Sequence, residues 1–470
     1  MDKIKSKSFY NIISQIVTLI VPLLIAPYIS RIFLAKTLGK YTYTVSIVTY
    51  FTLVAGLGLN NYGVQRTTLY RDSKSKLSKF FSEMIVIRFI STGVSICFYL
   101  IFVFIEKNNS TYYFILLLNI INVFFDITWF YQGLEDFKKI ALRSVLVKIF
   151  LCVFTFLFVK DNSDIYLYAI IVSLTTLIPN VLLWPGIHKY VNFSFKKISL
   201  KTHIKYILGF FIPSVAVTIY TVLDKTMIGL ISNLTEEVSY YEQAYKIMIT
   251  TTSITNVLCP VFLPMMTKIT DDSKIREIYI KTFGFTYFIA FIFLAGLLAL
   301  SDKFVILYYG EQYVASIKIL QLFAIMPFLV GIHNLIEYQY IYPNALVKSS
   351  TIIICCGALV DLILNIPLIY FLKAYGAAIA TVITELVISL SYLYVLHKKI
   401  NITVFFKDIW KYMLAASISY ACMFLLKKII FDNWLGLILN IIIGVVTYIL
   451  VLIVEREYYT NYLLHKIFRR

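Results

Sequence analysis

The sequence predicts an all-α, polytopic membrane protein with about fourteen transmembrane helices. Of its 470 residues, 60% are hydrophobic and 14% are charged, which is about half the charged share of a typical soluble domain. Apolar runs of roughly 20 residues, the length that a spanning helix needs, follow one another along the whole chain. A soluble enzyme of this composition would have no means of covering its apolar surface, so that class is excluded.

Each predicted helix is an apolar run between polar or charged breaks, since only a helix satisfies its own backbone hydrogen bonds in lipid. The connecting loops are short, and no extramembrane catalytic domain fits between the helices. The basic start of the chain leads into a run that is longer than a signal peptide and is therefore a retained first helix. The predicted spans are residues 10–34, 43–65, 80–105, 112–131, 142–159, 164–187, 204–231, 240–266, 280–300, 314–341, 350–371, 375–396, 408–426 and 433–454.

The distribution of basic residues predicts the orientation. With the N-terminus inside, 28 of the 43 Lys and Arg residues lie in cytoplasmic segments and 8 lie outside. The positive-inside rule therefore favours cytoplasmic N- and C-termini. The net charge of +18 mainly reports this topology, and a nucleic-acid partner is disfavoured.

The helix order suggests an internal repeat. Tyr131-Gln132 near the end of helix four resembles Tyr338-Gln339 near the end of helix ten; chance similarity between aromatic-rich helices is the alternative. A split in the basic loop 188–203 would give two six-helix lobes of equal orientation, as in transporters with parallel repeats. The predicted divisions are an N-terminal lobe over residues 1–195, a C-terminal lobe over 196–400, and helices thirteen and fourteen with a cytoplasmic tail over 401–470.

Seven basic residues remain after the 28 cytoplasmic and 8 outside residues are counted, and all seven lie inside predicted spans. A charge at the bilayer centre costs roughly 2.5–3.5 kcal/mol on insertion scales, so such residues should face protein or a wet cavity. Lys318 and Lys411 lie near helix starts, so their side chains can extend to the membrane interface. Lys148 could extend to the interface or face a cavity. The four better candidates for a cavity are Arg31, Arg88, Lys225 and Lys246.

Acidic residues inside the spans include Asp126, Asp224, Glu337, Asp361 and Glu385. Asp361 and Asn365 are four residues apart and share one helix face, as do Thr381 and Glu385. These acids could carry a proton, bind Na⁺ or hold helices together, and the structural role is favoured for Asp361 and Glu385.

Other motifs concern helix shape and chemistry. Pro22 and Pro27 in helix one, and Pro260 and Pro264 in helix eight, predict kinks or breaks, either static or at a gate. The sequence contains no GxxxxGK[ST] phosphate loop, no HExxH motif and no Cys/His cluster. We therefore expect a carrier without a cofactor rather than an enzyme.

Several segments resemble the polysaccharide-transport family of bacterial flippases, within the superfamily that also holds multidrug extrusion carriers and peptidoglycan lipid flippases. The resemblance covers essentially the whole chain through the order and spacing of its motifs. Position 225 departs from the pattern, because it is Lys where many relatives look to carry Arg, and Lys lacks bidentate phosphate geometry. The motifs lie at residues 27–39 (PYISR through LG), 58–63 (GLNNYG), 126–135 (DITWFYQGLE), 223–229 (LDKTMIG) and 365–385 (NIPLI through TE).

The resemblance implies translocation of oligosaccharide repeat units, linked to undecaprenyl pyrophosphate, across the bacterial cytoplasmic membrane by alternating access. It places the protein in O-antigen or capsule synthesis, beside a polysaccharide polymerase and chain-length machinery. It implies that the pyrophosphate is bound by Arg31, Arg88, Lys225 and Lys246. Residues that could meet the sugar are Asn60, Trp129 and Gln132, and candidates for coupling to H⁺ or Na⁺ are Asp126, Asp224 and Asp361.

Two alternatives remain open at this stage. A multidrug exporter of the same superfamily would need an acidic cavity for its cationic drugs, whereas the cavity candidates here include four cations. A membrane polymerase or ligase should carry catalytic residues on a large outer loop, and the sequence has none.

Overall fold

The computed structural model describes residue 17 and residues 20–106, 109–193, 198–257, 259–267, 269, 271–429 and 432–457. Throughout these residues the regular structure is helical, with no strand. Eleven of the described helices are long and apolar enough to cross a membrane. The predicted fold class, an all-α multi-pass membrane protein, is confirmed.

Contacts divide the chain into two compact units, Met1–Gly229 and Leu230–Arg470, which we call the N-terminal and C-terminal units. The boundary lies near the end of α9 rather than in the basic loop before it. The helices of the N-terminal unit are α1 (Ile20–Ile32), α2 (Ala35–Gly56), α3 (Leu59–Tyr70), α4 (Lys74–Ile105), α5 (Ser110–Phe125), α6 (Thr128–Gly133), α7 (Phe137–Phe158), α8 (Ile165–Val181) and most of α9 (Lys201–Ser232).

Among its described residues, the C-terminal unit has nine α-helices and one π-helical turn at Glu337–Ile341. Its longest helix runs over 51 residues and contains a reversal of the chain. The helices are α10 (Thr235–Thr255), α11 (Cys259–Met266), α12 (Asp272–Tyr309), α13 (Ala315–Phe323), α14 (Met326–Ile336), α15 (Val347–His397), α16 (Thr403–Phe406), α17 (Ile409–Leu426) and α18 (Trp434–Val454).

Every predicted span has a helical counterpart in the same order. The eleven apolar helices omit α1, of which only Ile20–Ile32 is described, and α10 with α11, and they count α15 as one although it contains two predicted spans. The start of the first predicted span, residues 10–16, lies outside the described residues. The predicted three-part division into lobes stays a prediction.

The first part of α9 packs within the N-terminal unit. His203 accepts or donates hydrogen bonds at both ring nitrogens, to the Tyr62 hydroxyl of α3 at 2.6 Å and to the Glu83 carboxylate of α4 at 2.9 Å. All three side chains are buried. These hydrogen bonds tie the start of α9 to α3 and α4, in agreement with the placement of most of α9 in the N-terminal unit.

The predicted span 43–65 is broken where the sequence suggested one continuous helix. Leu57 and Gly58, with φ of 48° and 70°, separate α2 from α3. A Cβ on Gly58 would lie 2.7 Å from the backbone nitrogen of Phe211 in α9, so only glycine permits this approach. The predicted break in helix eight is confirmed: α10 ends at Thr255, and α11 begins just before Pro260.

The chain reverses inside α15 at Lys373, whose φ of 53° and ψ of −132° lie outside the helical region. The two arms, which we call α15a and α15b, correspond to the predicted helices eleven and twelve. Gly376 follows the reversal, and a Cβ there would lie 2.0 Å from the backbone oxygen of Leu368. The close neighbour of Gly376 is therefore the chain's own preceding arm.

We expect Gly376→Ala to destabilise the protein by about 1–3 kcal/mol, because the added methyl group meets backbone rather than a movable side chain. The measurement is thermal unfolding of the purified protein in detergent. Gly93→Ala is the matched control, since a Cβ at Gly93 meets nothing within 4 Å. An unchanged melting temperature for Gly376→Ala would contradict the described reversal.

Candidate functional site

The break between α5 and α6 places a carboxylate inside the N-terminal unit. Asp126 Oδ1 accepts hydrogen bonds from the backbone N–H of Thr128 at 3.0 Å and from its hydroxyl at 2.6 Å. Trp184 Nε1–H donates to the backbone oxygen of Phe125 at 3.0 Å, which satisfies a carbonyl freed by the break. The break is therefore held on both sides, and Asp126 has a capping role in it.

Arg88 of α4 is one of the largest fully buried side chains and retains 2% of its accessible surface. Its Nη2–H donates to Asn60 Oδ1 at 2.6 Å. Asn60 is exposed and lies at the start of α3, two residues after Gly58. The buried Nε–H has no hydrogen-bond partner. Buried charges in proteins are normally paired, so this guanidinium group keeps donors that the described residues do not use.

A second guanidinium group comes from α7. Arg143 Nε–H donates to Asn180 Oδ1 of α8 at 2.6 Å, and Asn180 Nδ2–H donates to Asn122 Oδ1 of α5 at 2.7 Å. Asn180 is buried, with 1% of its surface accessible. The two amides thus orient the guanidinium group of Arg143 through its Nε–H. Its terminal nitrogens are left to donate to another acceptor.

Asp126 lies within electrostatic reach of both Arg88 and Arg143. Neither arginine forms a direct ion pair with a carboxylate within 4.0 Å in the described part of the chain. Two cations share one carboxylate at a distance, so the group carries a net positive charge. We call these residues the guanidinium cluster: Asn60, Arg88, Asn122, Asp126, Arg143 and Asn180.

The other predicted cations occupy different surroundings. Arg31 is exposed on α1, and Lys225 is half-buried on α9, next to the buried Asp224. Lys246 lies on α10 of the C-terminal unit, where its Nζ is 3.8 Å from the Glu242 carboxylate one turn earlier. Of the four predicted phosphate ligands, Arg88 is thus the one seated in the guanidinium cluster.

The residues predicted to meet sugar also differ from one another. Asn60 and Gln132 are exposed, while Trp129 retains 1% of its surface. A Cβ on Gly63 would lie 2.6 Å from the Trp129 ring, and Phe81 stacks on that ring with centroids 5.6 Å apart. Because packing covers its ring, Trp129 has no open face on which a sugar could stack.

In the C-terminal unit, the predicted shared face of Asp361 and Asn365 is confirmed. Asn365 Nδ2–H donates to Asp361 Oδ2 at 3.0 Å, and the Thr384 hydroxyl donates to Asp361 Oδ1 at 3.3 Å. Asp361 is buried, with 1% of its surface accessible. These contacts join α15a to α15b, as the favoured structural role requires.

An apolar cavity of about 360 Å³ lies between α10, α12, α17 and α18 of the C-terminal unit. Its walls carry no charged residue. Gly296 of α12 lines it, and a Cβ at that position meets nothing within 4 Å. Other lining residues are Ile292, Leu297, Phe304, Leu437 and Ile441.

Comparison with known proteins identifies the family. Residues 4–270, more than half of the chain, match the family described as "Polysaccharide biosynthesis protein".

The chain belongs to this family.

The family's relatives include two proteins that are each named "Putative O-antigen transporter". The one from Shigella dysenteriae is 22% identical over 375 residues, which cover 78% of this chain and 94% of that protein. The one from Escherichia coli (strain K12) is 24% identical over 395 residues, covering 81% and 94%. The resemblance indicated by the sequence motifs is confirmed.

Solved structures agree on the fold. The structure titled "Lipid II flippase MurJ, inward closed conformation" superposes with a TM-score of 0.73 at 19% identity and covers 99% of both chains. An inward-facing multidrug resistance transporter of the MATE family has a TM-score of 0.61 at 12% identity, covering 82% of this chain and 94% of that one. At these identities the likeness concerns the fold alone.

Sequence reasoning missed Arg143 as a member of the cluster. It was counted with the cytoplasmic charges because the predicted helix began at residue 142, whereas α7 begins at Phe137 and places Arg143 six residues inside the helix. The histidines were also missed. Among the described residues, no group of three or more His, Cys, Asp or Glu side chains could hold a metal ion.

We expect Asn180→Leu to lower stability by about 1–3 kcal/mol, because the Arg143 Nε–H and the Asn122 amide lose buried partners. Thermal unfolding in detergent measures the loss. Asn61→Leu is the control: Asn61 is exposed beside the cluster and its side chain has no described hydrogen bond. Equal melting temperatures for the two variants would contradict the hydrogen bonds that Asn180 makes with Arg143 and Asn122.

Proposed function

We propose that this member of the family is a flippase that moves oligosaccharide repeat units, linked to undecaprenyl pyrophosphate, from the inner to the outer leaflet of the bacterial cytoplasmic membrane. The observation that carries the proposal is the guanidinium cluster, in which Arg88 and Arg143 keep unused donors inside a membrane-spanning unit. The names of the relatives as transporters support transport rather than catalysis.

The headgroup of such a substrate is a pyrophosphate diester. Guanidinium groups bind phosphate oxygens through two parallel, charge-assisted hydrogen bonds, which are about twice as strong as neutral ones. In the proposed complex, phosphate oxygens take the free donors of Arg88 and Arg143. Arg31 and Lys225 of the N-terminal unit are proposed to add longer-range attraction through their charge. Lys246 of the C-terminal unit stays a predicted phosphate ligand, and a Lys acts as a point charge.

The sugar and the lipid tail need different surroundings. Asn60 and Gln132 are exposed amides suited to hydrogen bonds with sugar hydroxyls. The apolar cavity between α10, α12, α17 and α18 offers about 360 Å³ without a charged wall, and this size lies within the usual range of ligand pockets. We propose that it receives part of the polyprenyl chain.

Transport would proceed by alternating access, with both termini in the cytoplasm as the basic loops predict. Asn60 both holds Arg88 and reaches the exterior of the unit. We therefore propose that the incoming anion replaces Asn60 as the acceptor of Arg88. Polysaccharide polymerase and chain-length proteins are the proposed partners that take over the exported units.

The test is deletion of the gene in its host. Loss of a flippase should accumulate lipid-linked repeat units on the inner face of the membrane and remove the surface polymer. In the complemented strain, Arg88→Gln should lower export by about 10-fold to 100-fold, since a hydrogen bond to a charged group contributes about 1.5–3 kcal/mol. Surface polymer is measured at matched amounts of inserted protein.

Arg71→Gln is the control for this variant. Arg71 is exposed and pairs with Glu135 at 2.9 Å, and exposed pairs contribute little stability. Wild-type export by Arg88→Gln, or a deletion strain that exports cationic dyes less but keeps its polymer, would contradict the proposal. The second result would instead favour a multidrug exporter.

The cavity generates a separate expectation. Gly296→Phe should fill it and lower export by about tenfold, because the polyprenyl chain then loses apolar burial. Gly93→Phe on α4 adds the same ring at another helical glycine with open space. The same export assay compares the two variants. Equal export from both would contradict the proposal that the cavity receives part of the polyprenyl chain.

A further inference from the structure

A histidine and a glutamate meet inside the C-terminal unit. His333 lies in the last turn of α14, and Glu385 lies in α15b. His333 Nδ1 is 3.2 Å from Glu385 Oε2, and the two side chains retain 13% and 5% of their accessible surface. Neither of these atoms has a hydrogen bond of good geometry to any described group. The pair is therefore close, largely buried and poorly satisfied.

A buried carboxylate in a membrane-spanning helix must be neutralised by a proton or a cation. No described Lys or Arg lies within 4.0 Å of Glu385. The imidazole of His333 is the basic group at hand. An imidazole and a carboxylate in contact share one proton, either as a neutral pair or as an ion pair, and its loss leaves one buried negative charge.

A hydroxyl network surrounds the pair on one side. The Tyr392 ring stacks on the His333 ring, with centroids 5.7 Å apart. Glu337 Oε1 accepts hydrogen bonds from the Tyr392 hydroxyl at 3.2 Å, from Ser350 at 2.7 Å and from Tyr342 at 2.9 Å. Glu337 begins the π-helical turn that follows α14, and such turns occur frequently at functional sites.

The remaining helices around α14 present few titratable groups. α10 and α12 place Thr255 and Thr286 against Gly331, which lies two residues before His333. α15a presents Asp361, which reaches α15b through Thr384. Tyr287, which packs on Phe328 of α14, and Cys259, which lies near Glu337, are further titratable groups on this side of the unit.

We propose that His333 and Glu385 form a proton-binding site of the C-terminal unit, and that proton binding there is coupled to transport. The coupling half of this proposal rests on the proposed flippase function. The step is a simple association: one proton from water joins the pair and changes its charge from −1 to zero, and its release restores the anion. No other reactant is needed.

The chemistry of the pair favours H⁺ over Na⁺. Sodium is a hard cation that prefers several oxygen ligands, whereas an imidazole nitrogen binds protons near neutral pH. Two of the three predicted coupling residues are engaged otherwise, since Asp126 caps α6 and both oxygens of Asp361 accept hydrogen bonds; Asp224 stays a predicted coupling residue. His333 is the more accessible member of the pair, with 13% of its side-chain surface accessible against 5% for Glu385.

Neutralisation also gives a reason for coupling. Helix positions that expose the pair to water favour the anion, and positions that bury it favour the protonated form. A proton therefore shifts the balance between two arrangements of α14 and α15 by its different affinity for each.

The first test counts protons on the purified full-length protein, without substrate. Acidification from about pH 9 to about pH 6 spans the range where a His–Glu pair titrates. The double variant His333→Gln/Glu385→Gln should bind about one proton fewer than wild type, as measured with a pH-indicator dye. Glu277→Gln is the control, because Glu277 is exposed and paired with Lys281 one turn later on the same helix.

The second test measures surface polymer in the complemented deletion strain across the same pH range. Wild-type export should fall by about tenfold per pH unit on the alkaline side, following proton occupancy. Export by the double variant should stay low and flat. If the double variant unfolds, each single Gln variant, with a side chain of similar size, is compared with wild type in the same two measurements.

Equal proton uptake by wild type and the double variant would overturn the site, and an unchanged pH profile of export would overturn the coupling. Failure of the flippase proposal has a different signature. In that case the wild-type gene does not restore surface polymer, while the proton count on purified protein still decides whether the pair binds H⁺.

Discussion

A charged side chain in a membrane-spanning bundle must be satisfied by the protein, and breaks in the helices decide where this is achieved. Gly58 interrupts α2 and α3 and brings Asn60 against Arg88. The break after Phe125 brings Asp126 within reach of two guanidinium groups. The reversal at Lys373 returns the chain so that α15b can present Glu385 to His333. Each polar site thus depends on a local departure from the continuous helix.

The two units satisfy their charges by different means. In the N-terminal unit, amides hold the guanidinium groups of Arg88 and Arg143, which leaves positive charge for an anion. In the C-terminal unit, hydroxyls surround Glu337, an amide holds Asp361, and an imidazole faces Glu385. Amides and hydroxyls orient a charge without cancelling it. This chemistry suits the first unit for phosphate and the second for a proton.

Hydrophobicity alone predicted the helices, because spanning length and apolar content are set by the bilayer rather than by tertiary contacts. Arg88 and the Asp361–Asn365 pair were also predictable, since charge within a span and spacing on a helix can be read locally. Arg143 was not, because its assignment depended on where α7 begins. His333 and His203 were overlooked because a neutral histidine adds nothing to a charge count. The broken helix at Leu57 depends on backbone angles and on the approach of α9, which no local pattern records.

The proposed flippase activity is tested most directly by transfer of the lipid-linked oligosaccharide across a bilayer. The purified protein is reconstituted into vesicles that carry an undecaprenyl-pyrophosphate-linked oligosaccharide from the host, and a sugar-binding probe reports its exposure on the far leaflet. We expect transfer to require the protein, and its rate to fall when inorganic pyrophosphate competes for the guanidinium cluster. Transfer no faster than in protein-free vesicles, with the protein correctly folded and inserted, would contradict it.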